Sequence, residues 1–454
     1  MAYSQSTESS LIIQKYSQKF CMIYKPQVNN VIKDSDLSSK MILQINKDRC
    51  CAEIETLASI SSCEGPAVTR ILYSTEDQRS RQWLKGLMNE IGLTISEDGL
   101  GNLTGRWTGS DENLSPVATG SHTDAIPFSG KYDGVIGVLG AIEAIRSLQE
   151  AGFKPRRSID VIQFTAEEPT LFGIGCLGSR AMSGSMTVSE MSALRSDQED
   201  DIDKLRKAAG YHLPLSDVLL DSSYYHGFIE LHIEQGPRLE RDKLDIGIVT
   251  AIAAPATLKF ELKGDGGHAG AVLMPGRKDA LVAATYIIQE IEKAANNSES
   301  PDSVATVGIM DIHPSAINSI PSHVEFYADI RDINLDSRNQ MVQYIKDRAS
   351  QVCKDRNIQL KISTVNADDP CPSDPALLDK IEAACVEESV SYKRLVSRAY
   401  HDTLFMSRIC PTAMIFIPSE SGYSHRPEEY SSPEEIEKGI LILAKTLATM
   451  SHDV

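Results

Sequence analysis

Histidine and carboxylate side chains fall at the polar ends of apolar runs between residues 115 and 180. The stretch reads SPVATGSHTDAIPFSGKYDGVIGVLG and then SIDVIQFTAEEPTLFGIGCLGSR, which groups His122, Asp124, Asp133, Glu167 and Glu168. Strand ends are where α/β enzymes keep their chemistry. Two divalent ions about 3.5 Å apart need a bridging carboxylate, with imidazole and carboxylate ligands on either side. Asp133, in a tight loop closed by Gly134, is free to bridge. His122 and Asp124 lie two apart, so on an extended segment they point the same way. Asp124 is then better placed to orient the His122 ring than to ligate. Glu167 and Glu168 leave an extended backbone in opposite directions, so one can ligate while the other acts as a base.

The elements that must position these groups follow a strand, helix, strand order. PVATGSHTD reads as a buried strand, AIPFSGKYDG as a loop, and VIGVLGAIEAIRSLQEAG as a helix with apolar residues at spacings of three and four, closed by Gly152. IDVIQFTAEE is the next strand. This is the grammar of a parallel sheet covered by helices. Upstream, TEDQRSRQWLKGLMNEIG predicts a helix with Thr75 as N-cap, Gln78 three residues on, and Gly92 as its stop. Downstream, FIELHIEQGPRLE is another apolar run, with His232, Glu234 and Gln235 at its tip at the edge of the same site.

The pattern changes near residue 247. TLKFELKG alternates strictly, as in a sheet with one face in water. A helix, two strands, a second helix and a strand follow, an inserted α+β unit of order β-α-β-β-α-β. The expected organisation is an N-terminal extension over 1–36, a first domain built from 37–246 and 364–454, and an inserted domain over 247–363. The fold class is α/β, with a mixed, mainly parallel sheet carrying a dinuclear metal site.

Composition narrows the function. The chain has 454 residues, 41% hydrophobic and 24% charged, which suits an ordinary globular protein of more than one domain. A formal charge of −18 argues against nucleic acid or an anionic membrane as partner. No apolar run approaches the ~18 residues of a membrane span. The nine cysteines are odd in number and scattered without a CxxC pair, so reduced thiols are expected. The first residues lack a basic start and a clean apolar core, which makes cytoplasm the default compartment.

The strings GSHTDAIPFSGKYDGVIGVL, FTAEEPTLFG, ELHIEQGPRLE, GGHAGAVLMPGRKDAL, INSIPSHVEFYADIRD and GYSHRPEEYSS resemble the amidohydrolases of the M20 metallopeptidase superfamily that act on ureido compounds. The resemblance runs from about residue 50 to the end of the chain. Within that group, EEPTLFGIGCLGSR, SRAYHDTLFM and GYSHRPEEYSSPEE are most similar to the enzymes acting on ureidoglycolate. The resemblance implies hydrolysis of (S)-ureidoglycolate to glyoxylate, ammonia and carbon dioxide in the breakdown of allantoin-derived ureides. Allantoate and N-carbamoyl-amino-acid hydrolysis are the alternatives on the same machinery. A rival of another class is a catalytically silent dimeric binding protein.

Carried over position by position, the resemblance makes His122, Asp133 and His232 the ligands of one metal ion, and Asp133, Glu168 and His425 those of a second. Glu167 becomes the general base, with Asp124 beside it in the catalytic group. The inserted domain becomes a lid and homodimerisation domain, in which His268 stabilises an oxyanion, in one arrangement reaching into the partner subunit's site. Asn318 and Arg331 would hold the substrate carboxylate, and Gln235, Tyr400 and His401 would complete the pocket. Manganese is the metal implied, and zinc suits the same donor set. Leu171 departs from the Arg expected after EEPT, and the absent signal sequence leaves the endoplasmic reticulum, the compartment of similar plant enzymes, as the alternative location.

Plainer readings stand beside these. Read plainly, Asp124 is a strand-end cap, Asn318 a turn former ahead of Pro321, His268 part of a glycine turn, and Arg331 a surface partner of Asp329 or Asp332, each ranking below the functional reading. Cys176 reads as a small buried hydrophobe.

Overall fold

A computed structural model describes residues 41–453 except Asp197. The expected extension over residues 1–36 and Cys21 lie outside the described residues.

Two sheets carry the fold. In the nine-stranded sheet the order is Cys371–Pro372, Ile246–Ile252, Thr412–Ile417, Gly227–Ile233, Val117–His122, Ile159–Phe164, Leu103–Trp107 and Thr94–Glu97, with Tyr392–Ser397 also pairing on Ile246–Ile252. The expectation of a mainly parallel sheet holds only at its centre. Four pairings are parallel, namely Thr412–Ile417 on Gly227–Ile233, the latter on Val117–His122, Val117–His122 on Ile159–Phe164, and Tyr392–Ser397 on Ile246–Ile252. The other four are antiparallel. The central strands are joined through helices, as parallel neighbours require, whereas at one edge Thr94–Glu97 returns to Leu103–Trp107 through a short connection.

Alternation along the central strands explains the two covered faces. Ile229, Leu231 and Ile233 pack with Val138, Ile142, Ile440 and Leu443 on one side, under the helices Val135–Glu150 and Pro433–Ser451. Phe228, Ala118, Ile162 and Phe164 pack on the other side with Leu177, Met182 and Ile202. His232 and His122 share the parity of this second face and stand at the carboxyl ends of their strands.

The four-stranded sheet has the order Val304–His313, His323–Asp332, Ala254–Lys263, Gln359–Ala367, entirely antiparallel, with the helices Ala280–Asn296 and Leu335–Asp355 against it. Leu258, Phe260, Leu262, Val324, Phe326 and Ala328 are fully buried under those helices, as the period-two pattern requires. Its limits differ from the sequence boundaries. Ile246–Ile252 hydrogen-bonds into the larger sheet and Gln359–Ala367 continues four residues past 363, so this layer runs from Ala254 to Ala367.

Local expectations are corrected at two points. Ser74, not Thr75, is the N-cap of helix Thr75–Glu90: its side chain accepts from the Asp77 amide, and Gln78 instead donates to the Tyr73 carbonyl. Ala125–Ser129, expected as loop, is a short strand pairing with Val68–Arg70. No helix among the described residues is long and apolar enough to cross a membrane.

Candidate metal centre and active site

Asp133 sits at the focus of the site. It is held in the turn before helix Val135–Glu150, where Gly134 adopts a φ of +67° and a Cβ would lie 2.3 Å from the His122 ring. Only glycine fits that approach. Asp133 Oδ1 lies 3.5 Å from His122 Nε2 and 3.2 Å from His232 Nε2. Asp133 Oδ2 lies 3.4 Å from His425 Nε2, and His425 Nε2 is 3.1 Å from Glu168 Oε1. Two groups of ligand atoms result, His122–Asp133–His232 and Asp133–Glu168–His425, and Asp133 belongs to both.

The donor chemistry fits divalent metal. His122 Nδ1 is 3.1 Å from the Asp124 carbonyl and His232 Nδ1 is 3.0 Å from the Ile233 carbonyl, so each ring spends its outer nitrogen on the backbone and turns Nε2 inward. Imidazole nitrogen and carboxylate oxygen without thiolate suit manganese or zinc geometry alike.

The electrostatics of these side chains reflect their crowding. Burial pushes Asp133 up, but His122, His232 and His425 outweigh it and hold its carboxyl well below the usual carboxylate range. The same contacts, Asp133 first and then Glu168, raise His425 to about 11. Glu167 is pushed well above the ordinary value by burial, with Glu168, Asp402 and Asp133 adding to the shift and His122 opposing it. It stands 3.6 Å from His122 Nε2 and accepts from Cys176 Sγ at 3.4 Å.

The backbone here is strained. Ala166, Cys176, Gln235 and His425 all have φ between 53° and 59° without being glycine. Each such residue costs on the order of 1 kcal/mol and persists where the surroundings fix it, which is common at functional sites. Ala166 lies two residues past strand Ile159–Phe164, and its φ of 53° breaks the extended backbone expected ahead of the Glu pair. Glu167 and Glu168 consequently both reach the cavity rather than opposite sides of a strand.

That cavity measures about 560 Å³ and is lined by His122, Asp133, Glu167, Glu168, His232 and His425 from the larger sheet. Pro255, Thr257, Asp329, Arg331, Val365 and Asn366 close it from the four-stranded layer. Gln235 lines it and donates to Asp133 Oδ2 at 2.8 Å. Tyr400 also lines it, accepting from Arg180 Nη2 at 2.6 Å and donating to Asp368.

Several expected roles change. The Asp124 carboxylate accepts from the backbone amides of Glu167 (3.3 Å) and Glu168 (3.0 Å) with its Oδ1 3.6 Å from His122 Nδ1, and the Asp124 carbonyl is the nearer partner of that ring at 3.1 Å. His401 is buried behind the cavity, edge-on to His232 at 4.6 Å and bonded to Ser397 Oγ at 3.0 Å, so it supports a ligand instead of lining the pocket. Glu230 joins His232 and His401 in a further group, but its oxygens are taken by Ser121 and Thr403. His268 and Asn318 lie outside the cavity on a two-stranded ribbon, Gly267–His268 with Ser319–Ile320, where the Ala269 amide donates to the Asn318 carbonyl. Arg331 does line the cavity, with its fork on Asp329.

Two contributors were not anticipated. Ser424 Oγ donates to Asp133 Oδ2 at 2.5 Å, and Glu429 Oε1 accepts from the amides of Tyr132 (2.8 Å) and Asp133 (3.0 Å). Both lie in GYSHRPEEYSS, the segment that supplies His425. Leu171 is partly buried against the Leu177–Met182 side of the core.

A carboxylate shared by two donor groups at strand ends, beside an adjacent second carboxylate, defines a candidate metal-dependent hydrolase on an α/β scaffold. The chain belongs to the peptidase family M20/M25/M40, whose family model matches residues 118–449. It is 51% identical over 408 residues to the ureidoglycolate hydrolase of Arabidopsis thaliana, covering 88% of this chain and 86% of that one. It is 49% identical over 412 residues to the ureidoglycolate hydrolase of Oryza sativa subsp. japonica, covering 90% and 85%. The crystal structure of AtUAH in complex with glyoxylate superposes with a TM-score of 0.85 at 49% identity, covering 92% of this chain and all of that chain.

Proposed function

We propose that the protein hydrolyses (S)-ureidoglycolate to glyoxylate, ammonia and carbon dioxide. The observation that carries the reading is the division of Asp133 between the His122–His232 pair and the Glu168–His425 pair. The similarity to proteins named ureidoglycolate hydrolase supports this substrate over allantoate or N-carbamoyl amino acids.

His122, Asp133 and His232 would hold one divalent ion and Asp133, Glu168 and His425 a second, manganese in this reading, with zinc compatible with the same donors. When bound, such ions supply Lewis acidity toward the ureido carbonyl and lower the pKa of water. Glu167 takes a proton from the attacking water and passes it to the departing nitrogen. Burial gives that carboxyl the raised affinity for a proton that a relay needs. Asp124 fixes the Glu167 and Glu168 backbone by accepting from both amides. Gln235 and Ser424 steady Asp133. Arg331 receives the substrate carboxylate from the four-stranded layer, which acts as a lid, and Tyr400 borders the same space.

The lid is also the dimerisation surface in this reading. His268 and Asn318 lie beside Leu273, Met274 and Ile317, which are 77%, 73% and 105% exposed. An apolar loop tip this bare suits coverage by a second copy, whose site His268 would enter to stabilise the oxyanion while Asn318 joins Arg331 at the carboxylate.

The test is ammonia release from manganese-loaded protein given ureidoglycolate, allantoate, N-carbamoyl-alanine or N-carbamoyl-β-alanine. Ureidoglycolate turnover well above the rest is expected. Preference for another compound would reassign the substrate, and no turnover with metal bound would point to a silent binding protein.

A further inference from the structure

Asp329 and Arg331 stand two apart on strand His323–Asp332, so their side chains leave the same face of the sheet, and both line the cavity. Arg331 Nε donates to Asp329 Oδ1 at 2.7 Å and Nη2 donates to Oδ2 at 3.1 Å. On the far side, Nη1 donates to the Arg398 carbonyl at 2.9 Å. A guanidinium has five N–H groups. Asp329 and Arg398 take three, which leaves one on each terminal nitrogen. The Arg331 side chain is still 28% exposed with its other edge engaged. Paired donors are what a planar carboxylate accepts in two-pronged fashion.

We infer that Asp329 is a positioning residue for substrate binding. By gripping the Nε edge it holds the guanidinium so that the remaining terminal N–H groups are free for the substrate's carboxylate. This rests on the proposed role of Arg331 and deepens it.

The alternative, in which the substrate displaces Asp329, is disfavoured by the surroundings. A released Asp329 would be an unpaired carboxylate in a cavity already lined by Asp133, Glu167 and Glu168. Like charges gathered there repel one another, which disfavours the released form even though Asp329 keeps 36% of its side chain exposed. The Arg398 carbonyl gives the guanidinium a second anchor from the larger sheet, so the planar group is fixed from both layers.

The test is steady-state kinetics of the manganese-loaded enzyme on ureidoglycolate with Asp329→Ala, Asp329→Asn and Arg331→Ala. Asp329→Ala is expected to raise KM by about tenfold or more, the worth of a charge-assisted hydrogen bond, while kcat changes much less. Asp329→Asn, which keeps an acceptor oxygen, should recover part of the loss. A purely structural role would move melting temperature and kcat without this split or this rescue. A fall in KM for Asp329→Ala would show that Asp329 competes with substrate and overturn the inference. An unchanged KM would overturn it as well, and if Arg331→Ala also left KM unchanged the carboxylate grip itself would fail.

Calorimetric titration of glyoxylate onto the metal-loaded Glu167→Gln protein, with and without Asp329→Ala, scores the same grip without turnover. Weaker glyoxylate binding in the double variant is expected, and equal binding contradicts the inference. Failure of the wild type to release ammonia would then count against the reaction alone.

Discussion

His425 Nε2 stands 3.4 Å from Asp133 Oδ2, the carboxylate oxygen that His122 and His232 do not face. One short side chain therefore joins a histidine from the last loop of the chain to two histidines on central strands. Replacing Asp133 by Asn keeps the size but removes the charge that both halves share. Asp133→Asn should lower affinity for divalent metal at both positions by at least about 100-fold, more than the 10–100-fold typical of outer-sphere changes. Elemental analysis after dialysis against limiting manganese checks this, and retention of one full equivalent would contradict a shared ligand.

Gly134 is the tightest backbone point of the site. An added Cβ would meet the His122 ring at 2.3 Å, at a φ of +67° that side chains avoid. Gly134→Ala should destabilise the metal-free protein by about 1–3 kcal/mol and displace the His122 ring. Urea unfolding together with manganese titration measures both effects. Unchanged metal affinity would show that the ring position is not critical.

Asp124 has a role beyond the His122 ring beside it. Asp124→Ala leaves the buried amide of Glu168 and the part-buried amide of Glu167 without their acceptor, at about 1–3 kcal/mol for the buried one and less for the other. The loss should appear in the metal-free protein as well as the loaded one. A stability change confined to the loaded form would argue that Asp124 acts mainly through metal.

Alkaline stability should report the buried thiols. Burial pushes Cys385 and Cys410 each up to about 12 from an ordinary value of 9.0. The folded state thus holds these protons more tightly than the unfolded chain. Their contribution is fully present below pH 9 and is lost as pH rises from 9 toward 12, by about 1.4 kcal/mol per pH unit per thiol at most. Urea midpoints at pH 8 and 10.5 should draw closer without coinciding when both residues are replaced by Ala, because burial also raises Cys50, Cys176 and Cys353. An unchanged pH dependence would place the alkaline loss elsewhere.

Much of this arrangement is legible in the chain because it rests on short-range geometry. The alternation of Leu258, Phe260 and Leu262 marks a half-covered strand, and the three-and-four spacing from Val135 to Leu148 marks the helix behind Asp133. The less legible features depend on partners distant in sequence or on conformations without a residue code. Nothing in EEPT announces that Ala166 takes a positive φ and turns both Glu side chains into one cavity. Ser74 and Thr75 are adjacent cap formers, so the position of the cap is ambiguous by one residue, and the side chain that accepts from the Asp77 amide is that of Ser74. His401 looks like a pocket residue beside Tyr400, yet a local turn sends it behind His232. The Asp329 and Arg331 pair is visible as a spacing of two, but the third anchor at the Arg398 carbonyl is not.

In the proposed mechanism Glu167 performs the proton transfer at a centre held by His122, Asp133, Glu168, His232 and His425. Ammonia release and metal content, taken together for wild type and Glu167→Gln, separate that step from metal binding. The variant should bind as much manganese as wild type while losing about 10²–10⁴-fold in kcat on ureidoglycolate, the range for removal of a general base. Wild-type turnover in Glu167→Gln, or loss of activity only in step with loss of metal, would contradict it.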